Sequence, residues 1–259
     1  MIAKSRGIVL RNTNYSENSL VVKVFTDVYG IQSFLVNGIR NNKGQIKRSV
    51  LQPLNLLELE VYLKPNGGLQ RIKEARPYPL LNHLHRDMVK CSIAMFMLEL
   101  LNRTLPDEDP LEDLYEFLHE YIQFIDQTTE DLTLIPHHFM LQLSRYLGFF
   151  PELETKEGYT LHLQEGKTVF EPDGSVGYAL NMNENDLLLQ LQNLNPAALS
   201  GMKSSRSVRQ SLLSKLLFYY QLHIAGGMPF KSVSILQQVL HPDGTPIAET
   251  NQTQTHELR

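Results

Sequence analysis

The chain has 259 residues, 42% hydrophobic and 20% charged, the proportions of a folded globular protein, and it has no long apolar run that would predict a membrane-spanning helix. One cysteine, Cys91, excludes an intramolecular disulfide and any zinc site that needs two thiolates. Its 24 basic and 28 acidic residues nearly cancel, but 12 of the basic and only 5 of the acidic residues fall within residues 1–80. Such asymmetry points to a polyanion-binding module joined to an acidic segment.

The N-terminus enters strand-like sequence at once and lacks the apolar core and cleavage site of a signal peptide, so a cytoplasmic protein is expected. Five short strand patterns follow: GIVLRNTNY, SLVVKVFTD, GIQSFLVNGI, LQPLNLLELEVYL and GGLQRIKEA. The second alternates most clearly, with Leu20, Val22, Val24 and Thr26 on one face and Val21, Lys23 and Phe25 on the other. Turn residues separate the runs at Asp27–Gly30, Arg40–Gly44 and Pro65–Gly68. Five strands in this span predict a small barrel of the OB type, and an SH3-like barrel fits the same pattern. Its basic side chains Arg6, Arg11, Lys23, Arg40, Lys43, Lys47, Arg48, Arg71 and Lys73 are the candidate nucleic-acid contacts. The connection from Arg40 to Arg48, with four cations and no acid, is the foremost of these. Tyr15, Tyr29, Phe34 and Tyr62 are candidates for base stacking or for barrel core.

Arg76-Pro77-Tyr78-Pro79 disfavours continuation of strand or helix, which places a boundary between residues 1–78 and a helical domain at 79–241. The apolar spacing predicts a buried central helix from His83 to Thr104, with Leu84, Met88, Cys91, Met95, Leu98 and Leu101 in one stripe and Ile93, Ala94, Phe96, Met97 and Leu100 making it apolar on more than one face. An acidic start at Asp107–Pro110 opens a second, which buries Leu111, Leu114, Tyr115, Leu118, Ile122 and Ile125. Its Glu112, Asp113, Glu116 and Glu120 are expected to face water. A third helix lies within Asp131–Gly148, with Pro136 near its start.

Residues 149–178 break the helical pattern and predict a small hairpin insert from Tyr159–Leu163 and Thr168–Glu171, with a turn at Pro172–Gly174. Shorter helices are predicted at Leu187–Leu194 and Lys231–Leu240, and a long one at Ser204–Ala225. No acid occurs from residue 187 to 242, which leaves Lys203, Arg206 and Arg209 as candidate contacts for an acidic partner. The polar tail, 242–259, has no period and is expected to be disordered.

Catalytic motifs are missing: there is no GxxxxGK[ST], no GxGxxG after a strand and no GxSxG. Gly166-Lys167-Thr168 lacks the earlier glycine of a phosphate loop. His137 and His138 are adjacent, and His83 and His85 are two apart, so neither pair has metal-ligand spacing on a helix; both read as surface or capping histidines. No metal, cofactor or enzymatic activity is expected. The open classes are a nucleic-acid-binding protein, for DNA or RNA, and a basic module that binds an acidic protein.

The segments Tyr15-Ser16-Glu17, Phe25-Thr26-Asp27-Val28-Tyr29-Gly30, Asn37-Gly38-Ile39-Arg40, Leu51-Gln52-Pro53 and Leu147-Gly148-Phe149-Phe150-Pro151 resemble, in order and spacing, the RecO family of bacterial recombination mediators. The resemblance covers about the first 240 residues. It implies an N-terminal OB barrel followed by a helical domain. The implied function is non-enzymatic DNA repair and recombination: binding single and double strands and annealing complementary ones. The implied partners are RecR, the acidic tail of single-strand binding protein and, indirectly, RecA, in the bacterial cytoplasm at the nucleoid. Many members carry a four-cysteine zinc module after the Leu-Gly-Phe-Phe-Pro region, whereas residues 149–178 here contain no cysteine.

Overall fold

The computed structural model describes residues 2–39, 46–63, 68–105, 111–170, 178–224 and 230–240. The start of the second helix at Asp107–Pro110, the turn at Pro172–Gly174, the stop after the long helix and the tail lie outside the described residues, as do Arg40 and Lys43.

Five strands form a closed barrel: β1 (Ile2–Ser16), β2 (Ser19–Thr26), β3 (Gly30–Asn37), β4 (Leu56–Tyr62) and β5 (Gln70–Pro77). Their order is β1-β2-β3-β5-β4, closed by antiparallel pairing of β1 with β4, and β3 pairs with β5 in parallel. This crossover is the Greek-key closure of an OB barrel and decides against the SH3-like alternative. A 3-10 turn, Arg48–Leu51, precedes β4, which begins at Leu56 and not at Leu51 as the sequence pattern predicts. Pro77 is the last residue of β5, opposite Leu57, so the Arg76–Pro79 run admits strand further than predicted. A proline at a strand end leaves no ladder donor unmade in the interior.

Alternation along the strands fills the barrel with Val9, Leu20, Val22, Val24, Phe34, Val36, Leu57, Leu59 and Val61. Gly7 faces the same interior; a β-carbon there would meet Val24 Cγ1 at 2.5 Å and Leu59 Cδ1 at 2.9 Å. Ile46 and Leu51 from the β3–β4 connection join this core and anchor that connection.

The outer residues of the same strands form a second apolar belt. Leu56, Ile8 and Phe25 lie in one row across β4, β1 and β2, and with Leu10 and Leu54 they belong to the core of the helical part. Burial on both faces explains why Ile8-Val9-Leu10 is continuous rather than alternating. The helices are α1 (Met88–Thr104), α2 (Glu112–Gln127), α3 (Ile135–Tyr146), α4 (Met182–Leu191), α5 (Arg206–His223) and α6 (Ser232–Leu240). A two-stranded hairpin, β6 (Tyr159–His162) with β7 (Lys167–Phe170), lies between α3 and α4.

Several elements depart from the sequence pattern. Helix α1 starts only after Asp87, whose carboxylate accepts from the Lys90 N–H. It buries Ile93, Phe96, Met97, Leu100 and Leu101, while Met88 and Met95 are exposed. The predicted stripe was rotated because α1 is apolar on more than one side and packing chooses the face. Helix α4 starts at Met182, ahead of the predicted start, under a capping box of Asn181 and Glu184.

A buried carboxylate joins the barrel exit to the helices. Asp126, near the end of α2, accepts backbone N–H groups from Asn82, His83 and Leu84 at 2.7–3.1 Å. Burial alone would raise its pKa, but these donors outweigh burial and hold the carboxyl below the ordinary aspartate range. A depressed folded pKa contributes stability that is present above the unfolded pKa and lost as the pH falls. Asp126→Asn should therefore destabilise by about 2 kcal/mol at pH 7, by urea titration, with the gap to the native protein narrowing below about pH 4. Phe25→Ala should cost about 3–5 kcal/mol, because it removes a ring shared by the barrel wall and Tyr115 of α2, 5.9 Å between centroids.

Candidate nucleic-acid interface

Three β-bulges determine which side chains the barrel presents. In the β1–β2 ladder Val9 lies opposite Val24 and Arg11 opposite Lys23, so Leu10 is the extra residue. Without that bulge Arg11 would follow the alternation into the barrel; with it, Leu10 docks on the helices and Arg11 stays outside beside Lys23. The second bulge makes Tyr15 the extra residue at the β1–β2 turn, 67% exposed. The third lies in β5, where Lys73 is extra between Ile72 and Glu74.

Arg11 and Lys23 face each other directly across the strands, a like-charge pairing that opposes sheet stability. Leu35 of β3 lies opposite both Val21 of β2 and Arg71 of β5, and Arg71 lies opposite Tyr62 of β4. Tyr62 is 44% exposed, whereas Phe34 is buried in the barrel core. Of the aromatic candidates, the structure therefore presents Tyr15 and Tyr62 outward and Tyr29 half-buried. Lys47 and Arg48 are exposed between the anchors Ile46 and Leu51. Asn12 and Asn55 fix this segment: Asn12 Nδ2 donates to the Leu51 carbonyl at 2.6 Å, and Asn55 Nδ2 to those of Ser49 and Val50. Arg40 and Lys43 lie outside the described residues.

A groove of about 970 Å³ runs along β1, β4 and β5 and gathers different charges. It is lined by Lys4, Arg6, Lys73 and Arg76 together with Asp27, Glu58, Glu60 and Glu74. Four cations and four carboxylates balance there. Of residues 1–80 that leaves eight basic residues against one acid, Glu17, for the remainder. Two of the predicted contacts fall in the balanced groove. Lys73 Nζ donates to Glu60 at 2.7 Å, and the hydrogen bond holds the ammonium above, and the carboxyl below, their ordinary ranges.

Arg6 is a joint rather than an open contact. Its Nε donates to Asp27 Oδ2 at 3.0 Å, its Nη atoms to the Glu116 carboxylate of α2, and its guanidinium lies 5.0 Å over the Tyr115 ring. Its hydrogen bonds to Glu116 and Asp27 outweigh burial and raise its pKa further, so it is charged at every working pH. Glu116, expected to face water, is thus the partner of a barrel arginine. Spacing within α2 carries no sign of this pairing, which joins residues 110 apart.

In the helical part, Lys203 is exposed and Arg206 half-buried at the start of α5. Arg209 folds back, Nη1 donating to the Ser204 carbonyl at 2.5 Å, so it does not extend beside Arg206 as one open clamp. His137 and His138 are buried, against the expectation of surface histidines. His138 bonds the Tyr121 hydroxyl at 2.8 Å and the Leu194 carbonyl at 2.9 Å; His137 bonds the Arg209 carbonyl at 2.7 Å. Both are core polar groups, His138 bonded at both ring nitrogens, and burial holds the pKa of His138 below its ordinary value. The Cys91 thiol, pushed up by burial, lies 3.3 Å from the Leu84 carbonyl oxygen. Among the described residues no helix is long and apolar enough to cross a membrane, and no group of His, Cys, Asp and Glu has the arrangement of a metal site.

The barrel order, the helical continuation and the motif spacing agree with comparison to known proteins. Residues 1–79 match the family described as recombination protein O N terminal, and residues 85–233 match recombination protein O C terminal. The chain belongs to the RecO family. Relatives named DNA repair protein RecO include those of Christiangramia forsetii, 31% identical, and Azobacteroides pseudotrichonymphae, 29% identical, each aligned over 92% of this chain and 99% of the relative. The Bacteroides fragilis protein of that name is 31% identical over the same shares.

Where many RecO proteins place four cysteines, this chain builds its hairpin from backbone and amide bonds. The Glu152 N–H donates to the Gly166 carbonyl and the Thr168 N–H to that of Glu152, and Leu161 donates to Asn185 Oδ1. The Phe170 ring closes over Gly158, whose φ of 75° and lack of side chain make room for it. Purification in a strong chelator should leave the melting temperature unchanged, and elemental analysis should find well under one zinc per chain; stoichiometric zinc would contradict this reading.

Proposed function

We propose that this RecO-family chain is a non-enzymatic mediator of DNA repair and recombination, with residues 1–78 as its DNA-binding unit and residues 79–241 as its protein-binding unit. The observation that carries the reading is the set of described barrel cations outside the balanced groove, Arg11, Lys23, Lys47, Arg48 and Arg71, against Glu17 as the one described acid there. Such a surface binds the phosphate backbone of single and double strands without reading sequence. Arg11, Lys23, Arg71, Lys47 and Arg48, with Arg40 and Lys43 from the same connection, are the proposed contacts. Tyr62 beside Arg71 offers a stacking face to an unpaired base. Holding strands by phosphates leaves base edges open, which suits annealing of complementary strands. Its relatives' shared name, DNA repair protein RecO, supports the biological setting.

The helical part is proposed to meet RecR and the acidic tail of single-strand binding protein, and through them to help load RecA in the bacterial cytoplasm at the nucleoid. Lys203 and Arg206 at the start of α5 are the proposed tail contacts, with Arg209 acting mainly by holding that helix start. Arg206→Ala should weaken binding of an acidic tail peptide without changing the circular dichroism spectrum; an unchanged affinity would remove this contact.

The salt dependence of oligonucleotide binding tests the DNA reading. Changing Arg40, Lys43, Lys47 and Arg48 to Ala should lower the log–log slope by about 2–3 for single strands, alike for all sequences. Tyr62→Ala should weaken single-strand binding by about 1–3 kcal/mol and leave duplex binding nearly unchanged. A quadruple variant with native affinity and slope would move the interface elsewhere. Native protein that binds an acidic polypeptide and no oligonucleotide would favour a protein-binding barrel.

A further inference from the structure

The outward face of β4 carries Glu58 and Glu60, and both neighbouring strands place cations beside them. Lys4 and Arg6 of β1 lie opposite Glu60 and Glu58 in the ladder, and Arg76 of β5 lies opposite Glu58. Lys4 Nζ is 3.8 Å from Glu60 Oε1, Lys73 Nζ 2.7 Å from Glu60 Oε2, and Arg76 Nε donates to Glu58 Oε2 at 2.6 Å. The result is a row of carboxylates on β4 flanked by cations from both neighbouring strands. Glu60 lies opposite Glu74 in the ladder, and it is Lys73, the extra residue of the β5 bulge, that reaches the Glu60 carboxylate.

Exposed ion pairs of this kind add little stability, particularly at physiological salt. Their effect on a polyanion is larger. A phosphate entering the groove meets four carboxylates, two of them on β4, and must displace an intramolecular partner from each lysine or arginine it pairs with there. With the glutamates neutral, Lys4, Lys73 and Arg76 would continue the cationic surface of Arg71 along β5 and onto β1. The groove has a volume of about 970 Å³, and on this reading its lining charge sets what enters it.

We propose that Glu58 and Glu60 are specificity-determining residues that shut the β1–β4–β5 groove to nucleic acid and confine DNA to the remaining barrel surface. The inference rests on the proposed DNA-binding role of the barrel. Like-charge juxtaposition is a common means of suppressing a wrong binding mode, and here it gives the strand one track instead of two.

The test uses the full chain and a fluorescent single-stranded oligonucleotide. Glu58→Gln with Glu60→Gln keeps side-chain size and hydrogen-bonding capacity while removing both charges. This double variant should bind about fivefold or more tightly at low ionic strength, with a log–log salt slope steeper by about 2, the share of three further phosphate contacts. Glu112→Gln with Asp113→Asn, exposed acids on α2, makes the same change in net charge and should show little gain. Adding Lys4→Ala, Lys73→Ala and Arg76→Ala to the double variant should cancel the gain. No tightening, an equal gain in the α2 control, or a gain that survives the three alanines would each overturn the proposal. Should the double variant fail to fold, Glu60→Gln alone should give about half the change in slope, and an unchanged slope would overturn it equally. Native protein that binds no oligonucleotide would refute the underlying DNA reading as well; native protein that binds normally beside an inert double variant would refute this inference alone.

Discussion

The docking of the barrel wall on the helices governs what the rest of the surface is able to do. Ile8, Leu10, Phe25, Leu54 and Leu56 give the outside of β1, β2 and β4 to the helical core, and Arg6 closes the edge of that contact on Glu116. Apolar burial supplies most of the attraction there, and the arginine, held by two carboxylates and an aromatic ring, fixes the angle. With that belt removed from solvent, the outer barrel divides in two. One part is the charge-balanced groove along β4. The other carries Arg11, Lys23 and Arg71 on the strands, with Lys47 and Arg48 exposed on the connection before β4.

The barrel was legible because its alternation is strong where one face is core. Leu20, Val22 and Val24 read as inward from the sequence and are inward. The parallel β3–β5 pairing, which decides between barrel types, leaves no mark in local periodicity because it joins distant strands. Ile8-Val9-Leu10 did carry a signal: three consecutive apolar residues in a strand mean burial on both sides. The bulges were not legible, since an extra residue changes parity only when the partner strand is known. The stripe of α1 failed for a related reason, as a helix apolar on several sides leaves the choice of face to its neighbours.

Charge was legible as an amount and not as an arrangement. The excess of basic residues in the first 80 positions is plain in the sequence. That Arg6 binds an acid 110 residues away, or that Lys73 bonds Glu60 across a strand, depends on the fold. The buried histidines show the same limit. His137 and His138 have no metal-ligand spacing, yet they are core side chains, because α3 is enclosed by α2, α5 and the turn at Leu194. In the insert, the missing cysteines carry no sign of the Glu152 and Asn185 bonds that hold the hairpin.

One measurement addresses the division of the barrel surface directly: lysine-reactivity footprinting of the native chain, with and without a saturating single-stranded oligonucleotide, read out residue by residue by mass spectrometry. The account predicts strong protection of Lys47 and Lys23, with Lys4 and Lys73 unchanged in their balanced groove. Protection of Lys4 and Lys73 with Lys47 and Lys23 left reactive would contradict it, as would equal protection of all four.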